Sequence, residues 1–211
     1  MSEALDALDL PLDPETVKGF MDPTEGRALY EAALQTAPLG PLLEIGSYCG
    51  KSTVYLGTAC KRVGQVLFAL DHHYGSEENQ QGWEHHDASL YDPSTDRLNT
   101  FPLFRETLRR ANLEETVIPV VAPSTVASRG MAFEFGLVFI DGGHGRGPAF
   151  ADYRHWAPRV RVGGLLAIHD VFPDPADGGR PPFEVYEMAR ASGLFEEVGA
   201  VKSLRLLRRL G

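Results

Sequence analysis

The sequence predicts a single α/β domain on a mostly parallel sheet, and three observations carry that prediction. Short apolar runs alternate with helix-length segments along the 211 residues, the pattern of parallel strands covered on both faces by crossover helices. Polar clusters follow directly on the ends of four of these runs, where open parallel sheets keep their ligands. The length suits one core, and 43% hydrophobic with 23% charged residues is an ordinary globular composition. One domain over residues 1–211 is therefore expected.

The elements follow in order. Residues 1–15 are acidic and rich in Pro and Asp, and are expected to form a loosely held arm. Asp22 as N-cap, Pro23 at N1 and Glu25 at N3 predict a capping-box entry into the helix EGRALYEAALQTA, so that 1–37 forms an arm plus helix. Ala28, Leu29, Ala32 and Ala33 share its packing face, and Pro38-Leu39-Gly40-Pro41 ends it. Leu42–Ile45 is the first strand, Ser52–Lys61 a helix, and Val66–Leu70 the second strand, ending at Asp71. Residues 72–100 break the rhythm: they are polar, His-rich and aperiodic, and a loop of this length inside a domain is read as an active-site lid carrying Trp83 and Tyr91. PLFRETLRRANL is an amphipathic helix. Thr116–Val121, Leu137–Ile140 and Gly164–Ile168 supply three more strands, with a helix over Ala149–Val160. Glu184–Ala191 is a further helix, and Glu196–Val201 with Leu204–Arg208 a closing antiparallel pair.

Bulk properties exclude some partners. A net charge of −9 argues against a nucleic-acid backbone or an anionic membrane. The cluster Arg205, Arg208 and Arg209 reads as a solvated edge. Two cysteines, Cys49 and Cys60, form no CxxC pair, and MSEALDALDLPLDPE has neither a basic nor an apolar leader region. No apolar run has membrane-spanning length. A cytoplasmic location is expected.

Glu44-Ile45-Gly46-Ser47-Tyr48-Cys49-Gly50-Lys51-Ser52 is the first cluster. Its G-x-x-x-G spacing is neither the G-x-G-x-x-G of a dinucleotide loop nor the G-x-x-x-x-G-K-[ST] of a phosphate loop. Glu44 would repel a triphosphate but suits the cationic amino-acid end of S-adenosylmethionine, directly or through water. Asp71, one crossover later, can accept both ribose hydroxyls of a nucleoside. Ser124 after Ala122-Pro123 stands where adenine would lie, or else caps the next helix. His72 adjoins Asp71 and is expected to line the same pocket, whereas His73, His85 and His86 are expected to face substrate or solvent in the lid.

Asp141-Gly142-Gly143-His144 and His169-Asp170 each follow a strand, which brings Asp141 and Asp170 together if the strands are neighbours. Two carboxylates and an imidazole suit a divalent ion. His144 is the candidate general base, with Asp141 beside it; the alternative is a histidine that caps a helix or orients Asp141.

LLEIGSYCGKSTVYL, FALDHH, VFIDGGHGRGPAFADYRHWAPRVRVGGLLAIHD and their spacing resemble the class I methyltransferases, more narrowly methyltransferase family 24, over about residues 17–173. The resemblance implies a three-layer Rossmann-like fold whose seven-stranded, mostly parallel sheet has an antiparallel last strand. It implies S-adenosylmethionine as cofactor, held at its amino-acid end by Glu44, Gly46, Ser47, Gly50 and Ser52, with Tyr48, His72 and Asp141 also lining the site. Asp71 would hold ribose and Ser124 would lie near adenine. Metal-dependent relatives bind their ion at the positions of Asp141, His169 and Asp170. His169 departs from the usual carboxylate or amide there, so the site takes either Mg²⁺ or another divalent cation, or no metal. The implied activity is O-methylation of a hydroxylated small molecule (a sugar, polyketide or phenol) by a homodimer.

Three alternatives stand beside it. One is an S-adenosylmethionine-binding module without catalysis. A second is a metal-dependent phosphoesterase: Asp71-His72-His73 matches the DHH signature, but the first strand supplies Glu44 and glycines where that chemistry needs further aspartates. The third, an NAD-dependent oxidoreductase, is disfavoured by the glycine spacing.

Overall fold

In the computed structural model, which describes residues 8–76 and 87–211, the chain runs α1 (Pro23–Thr36), β1 (Leu42–Ile45), α2 (Lys51–Val63), β2 (Leu67–Asp71), β3 (Tyr91–Asp92), β4 (Arg97–Leu98), α3 (Phe101–Arg110), β5 (Val117–Val121), α4 (Ser124–Gly130), β6 (Phe135–Ile140), α5 (Arg146–Trp156), β7 (Val160–Ile168), α6 (Arg180–Ala191), β8 (Phe195–Val201) and β9 (Leu204–Arg209). The main sheet has seven strands in the order β5-β2-β1-β6-β7-β9-β8. Its pairings are parallel from β5 to β7, and β9 runs antiparallel to both neighbours. This is the three-layer Rossmann-like methyltransferase fold that the sequence led us to expect.

Apolar side chains alternate between the two faces of the sheet. Leu42, Leu67, Leu137, Phe139 and Leu165 pack toward α1 and α2 with Leu29, Ala33 and Leu56. Leu43, Ile45, Val138, Ile140 and Ile168 pack toward α5 and α6 with Trp156, Val185 and Ala189. Strands buried on both faces cannot alternate with polar residues, so their sequences read as continuous apolar runs. Each such side chain contributes about 1.5–3 kcal/mol by leaving water.

The register aligns the carboxyl ends of the central strands: Ile45 lies opposite both Leu70 and Ile140, and Ile140 opposite Ile168. Backbone bonds continue one residue further, from Gly46 N–H to Leu70 (2.9 Å), Asp141 N–H to Ile45 (2.9 Å) and His169 N–H to Ile140 (3.1 Å). The loops that follow therefore start from one row. Strand order reverses between β1 and β6, the place where such sheets open a crevice.

Several expectations need correction. The N-terminal arm, in its described part, is tied down: Leu8, Leu10 and Leu12 pack on the core, Val17 and Met21 are buried, and Lys18 pairs with Asp87. Asp22 does cap α1, accepting from Thr24 N–H at 2.8 Å, but Glu25 makes no capping box and is buried. The helix expected over 149–160 starts at Arg146 and yields to a tight turn at Ala157–Arg159, because Pro158 cannot continue it. Strand β7 then begins at Val160, four residues before the expected Gly164. Within the lid segment, β3 and β4 form a two-stranded antiparallel hairpin too short to show periodicity. Trp83, His85 and His86 lie outside the described residues. No described helix is long and apolar enough to cross a membrane.

Candidate active site

The loops at this row of strand ends enclose a cavity of about 930 Å³, at the upper end of the usual range for ligand sites. Gly46, Ser47, Tyr48, Ser52, Asp71, His72, Ser124, Asp141, His144, His169 and Asp170 all contribute to its wall.

The end of the cavity expected to hold the cofactor, its cofactor end, is built by the turn from β1 into α2. Gly46 holds φ +89°, and a Cβ there would meet the Asp141 carbonyl oxygen at 2.2 Å, so only glycine lets the β1 and β6 loops touch. Gly50, at φ +95°, starts α2 behind the loop and does not reach the cavity. Ser47 is buried, and its hydroxyl has no partner among the described residues, which suits it to a ligand. Asp71 is shaped by the backbone: one carboxylate oxygen accepts from Tyr48 N–H (2.8 Å) and the other from His73 N–H (2.7 Å). Each oxygen keeps a further lone pair, as the expected contact with ribose hydroxyls requires. Tyr48 pays for this contact with a left-handed backbone, φ +45°.

Glu44 is placed differently from its expected role. It is fully buried off the cavity wall, and its two oxygens bond the Ser52 and Thr53 hydroxyls at 2.6 Å each. Burial pushes its carboxyl up to about 8. It secures the start of α2 and does not touch the space a ligand would fill. His73 is likewise buried, with Nδ1 2.8 Å from Thr100 Oγ1 and its ring between Phe101 and Phe104, so it faces neither substrate nor solvent. His72 is half-buried on the wall, its Nδ1 accepting from Tyr74 N–H. Tyr91 is exposed, bonded to Asp96 and away from the cavity.

Ser124 begins α4 without capping it. Its oxygen accepts from the Trp156 indole at 2.7 Å, and its hydroxyl serves Asp152, whose carboxyl burial pushes up to about 6. Asp152 also lines the cavity and was not singled out from sequence, where it is one more acidic residue in a helix.

The chemical end draws on segments far apart in the chain. His144 Nε2 lies 2.8 Å from Asp170 Oδ2. His169 is almost wholly buried, and its Nδ1 is 2.9 Å from Asp141 Oδ1 and 3.3 Å from Asp170 Oδ2. On its far side Nε2 is 3.1 Å from Glu25 Oε2. Glu25 and Asp170 are held in the ionised, acceptor-only form, so the ring presents Nε2–H to the first and Nδ1–H to the second. Burial opposes that charge, but Asp141, Asp170 and Glu25 together raise the ring's pKa well above its ordinary value. Burial likewise pushes the Asp141 carboxyl up, although His169 pulls against it. For Asp170 the hydrogen bonds from His144 and His169 outweigh burial and hold the carboxyl below its ordinary range. Neighbouring carboxyls driven apart in this way are characteristic of catalytic sites.

This geometry bears on the metal. With both nitrogens turned to carboxylates, His169 has no lone pair to give, and the expected set Asp141, His169 and Asp170 does not fit a cation. Asp141, His144 and Asp170 each offer one ligand atom, all within 4.8 Å of one another, and this set does fit. Glu25 was missed as a site residue because Asp22-Pro23 made it read as part of a cap. The signal was present: Glu25, Leu29, Ala32 and Ala33 fall at helical spacing on the face that packs inward.

A family model described as a methyltransferase domain matches residues 43–171, more than half of the chain. Among solved structures, the O-methyltransferase NovP is similar at 15% identity, over 89% of this chain and 81% of that one, with a TM-score of 0.67. The O-methyltransferase TomG from Streptomyces achromogenes, in complex with S-adenosylmethionine, is 17% identical over 91% and 82%, with a TM-score of 0.62. An O-methyltransferase from Bacillus cereus, in complex with S-adenosylhomocysteine, is 19% identical over 90% and 83%, with a TM-score of 0.60. At these identities the structures establish the shared fold; the family match goes further. The chain belongs to the methyltransferase-domain family and is a class I S-adenosylmethionine-dependent methyltransferase.

Proposed function

We propose that the protein methylates a hydroxyl of a small molecule, with His144 as general base. The observation that carries this reading is the His144–Asp170 pair, 2.8 Å apart on the wall of the cofactor cavity. Oriented by its contact with Asp170, the His144 imidazole takes the proton of the acceptor hydroxyl as its oxygen attacks the sulfonium methyl. The carbon–sulfur electrons pass to sulfur, leaving neutral S-adenosylhomocysteine, and the imidazolium releases its proton to solvent. A sulfonium methyl is already electrophilic, so the protein has only to align the partners and remove that proton. NovP, TomG and the Bacillus cereus protein are all named as O-methyltransferases, which supports oxygen as the nucleophile here. The chain's net charge of −9 favours an acceptor that is not polyanionic.

A second reading adds a divalent ion such as Mg²⁺ or Mn²⁺, favoured by the convergence of Asp141, His144 and Asp170. What such an ion supplies when bound is a lowered pKa for the acceptor hydroxyl. Incubation with S-adenosylmethionine and a panel of hydroxylated glycosides and phenols, with EDTA or with added Mn²⁺, tests both. Methylated oxygen is the expected product, and transfer confined to nitrogen or sulfur acceptors would overturn the proposal. Turnover undiminished by EDTA removes the metal and leaves the base alone.

A further inference from the structure

Asp170 holds a left-handed backbone, at φ +55°, which is uncommon for a residue other than glycine. Both of its neighbours are tied to one anchor, the turn between β8 and β9. On one side Val171 N–H bonds the Ser203 carbonyl at 3.0 Å. On the other, His169 reaches that turn through Glu25. Oxygen Oε1 of Glu25 accepts from Ser203 N–H and Ser203 Oγ at 2.8 Å each and from Leu204 N–H at 3.1 Å, while Oε2 meets His169 Nε2. Helix α1 thus delivers a carboxylate that joins the turn to the ring. The ring in turn bridges Asp141 and Asp170 with its other nitrogen.

We propose that Glu25 is a positioning residue for the methyl-transfer site: by holding His169 against the β8–β9 turn, it sets the Asp170 carboxylate on which His144 rests. The inference builds on the reading of His144 and Asp170 as the reactive pair. Three carboxylates, from Glu25, Asp141 and Asp170, converge on one doubly hydrogen-bonded imidazole, and a carboxylate taken from this balance leaves the others facing a changed ring. Although burial works the other way, His169 and Ser203 hold the Glu25 carboxyl below its ordinary value. Glu25 itself does not touch the cavity.

Glu25→Gln separates this role from simple support of the fold. The amide oxygen can still accept from Ser203 and Leu204, but the amide NH₂ now confronts His169 Nε2–H, donor against donor. Full-length protein carrying ¹³C-labelled histidine is compared with wild type for thermal stability, S-adenosylmethionine affinity by calorimetry and the His144 Cε1–H resonance. Turnover is read on the best acceptor of the glycoside and phenol panel. A folded Glu25→Gln protein is expected to bind S-adenosylmethionine as wild type does, to show a displaced His144 resonance, and to lose about tenfold or more in kcat at unchanged KM for S-adenosylmethionine. In a His169→Asn background the same change should add nothing further, since the two residues act as one unit. Ser203→Ala, which removes one of three donors to Oε1 and leaves α1 intact, should displace the resonance in the same direction by less. An unmoved His144 resonance in folded Glu25→Gln and Ser203→Ala proteins overturns the proposal, as does undiminished kcat. If no hydroxyl in the panel is methylated but the resonance still moves, O-methylation fails and the positioning role stands.

Discussion

At the cofactor end of the cavity, most of the polar groups come from one loop, Gly46–Ser52, joined by Asp71 from the neighbouring strand, and backbone N–H groups set the carboxylate. At the chemical end the groups are side chains from α1, from the ends of β6 and β7, and from the loop after β6, held to one another by charge. The first arrangement tolerates changes in side chains so long as the turn survives. The second depends on each partner being present, because a buried charge deprived of its counter-charge is costly. Ligand binding and chemistry in this molecule should therefore be separable by mutation.

The sharpest test of that separation is His144→Ala. Methyl transfer should fall by about 10²–10⁴-fold, the usual worth of a general base, while calorimetry with S-adenosylmethionine gives an affinity close to wild type. An equal loss in both measurements would show the two ends to be one unit. Gly46→Ala attacks the place where they touch. The added Cβ would lie 2.2 Å from the Asp141 carbonyl oxygen, so cofactor binding should be lost together with about 3 kcal/mol of stability, an overpacking-scale cost read from denaturant unfolding.

Asp71→Asn should act on the cofactor end alone. One of the two backbone N–H groups then meets an amide NH₂ and the other keeps only a neutral oxygen, and S-adenosylmethionine affinity should weaken about tenfold with kcat at saturation unchanged. Glu44→Gln should have the smallest effect and spare both ends. Because burial raises the Glu44 carboxyl from 4.5 to about 8, the folded protein holds a proton that the unfolded chain releases above its ordinary pKa. The wild type therefore loses stability as pH rises from about 4.5 through about 8. The amide variant, with no proton to lose, should show a flatter profile and a higher Tm at pH 8 than wild type, with the difference shrinking toward pH 5. Parallel profiles would mean that Glu44 is already ionised in the folded state.

Legibility in the sequence follows the same division. The strands were readable because burial on both faces leaves runs that are largely apolar, at Leu42–Ile45 and at Leu137–Ile140 within the longer strand β6. The cofactor turn was readable because its chemistry lies within a few consecutive residues. Glu44 was misplaced for an instructive reason. An acidic residue before a glycine turn can face the ligand or the next helix, and only the Ser52 and Thr53 hydroxyls on α2 decide between them.

The chemical end was half legible. Asp141, His144, His169 and Asp170 stand out as polar residues after apolar runs, and their nearness follows once β6 and β7 are neighbours. What each contributes was not. Whether His169 can bind a metal depends on the proton on each ring nitrogen. That in turn depends on Glu25, 144 residues away in the chain and brought to within 3.1 Å of the ring by the packing of α1. The sequence by itself determined the sheet, the glycine turn and the row of polar strand ends, because each is written in local pattern and periodicity. The tertiary structure alone decided which carboxylate faces which imidazole, because proton positions in a buried charge cluster depend on every partner at once.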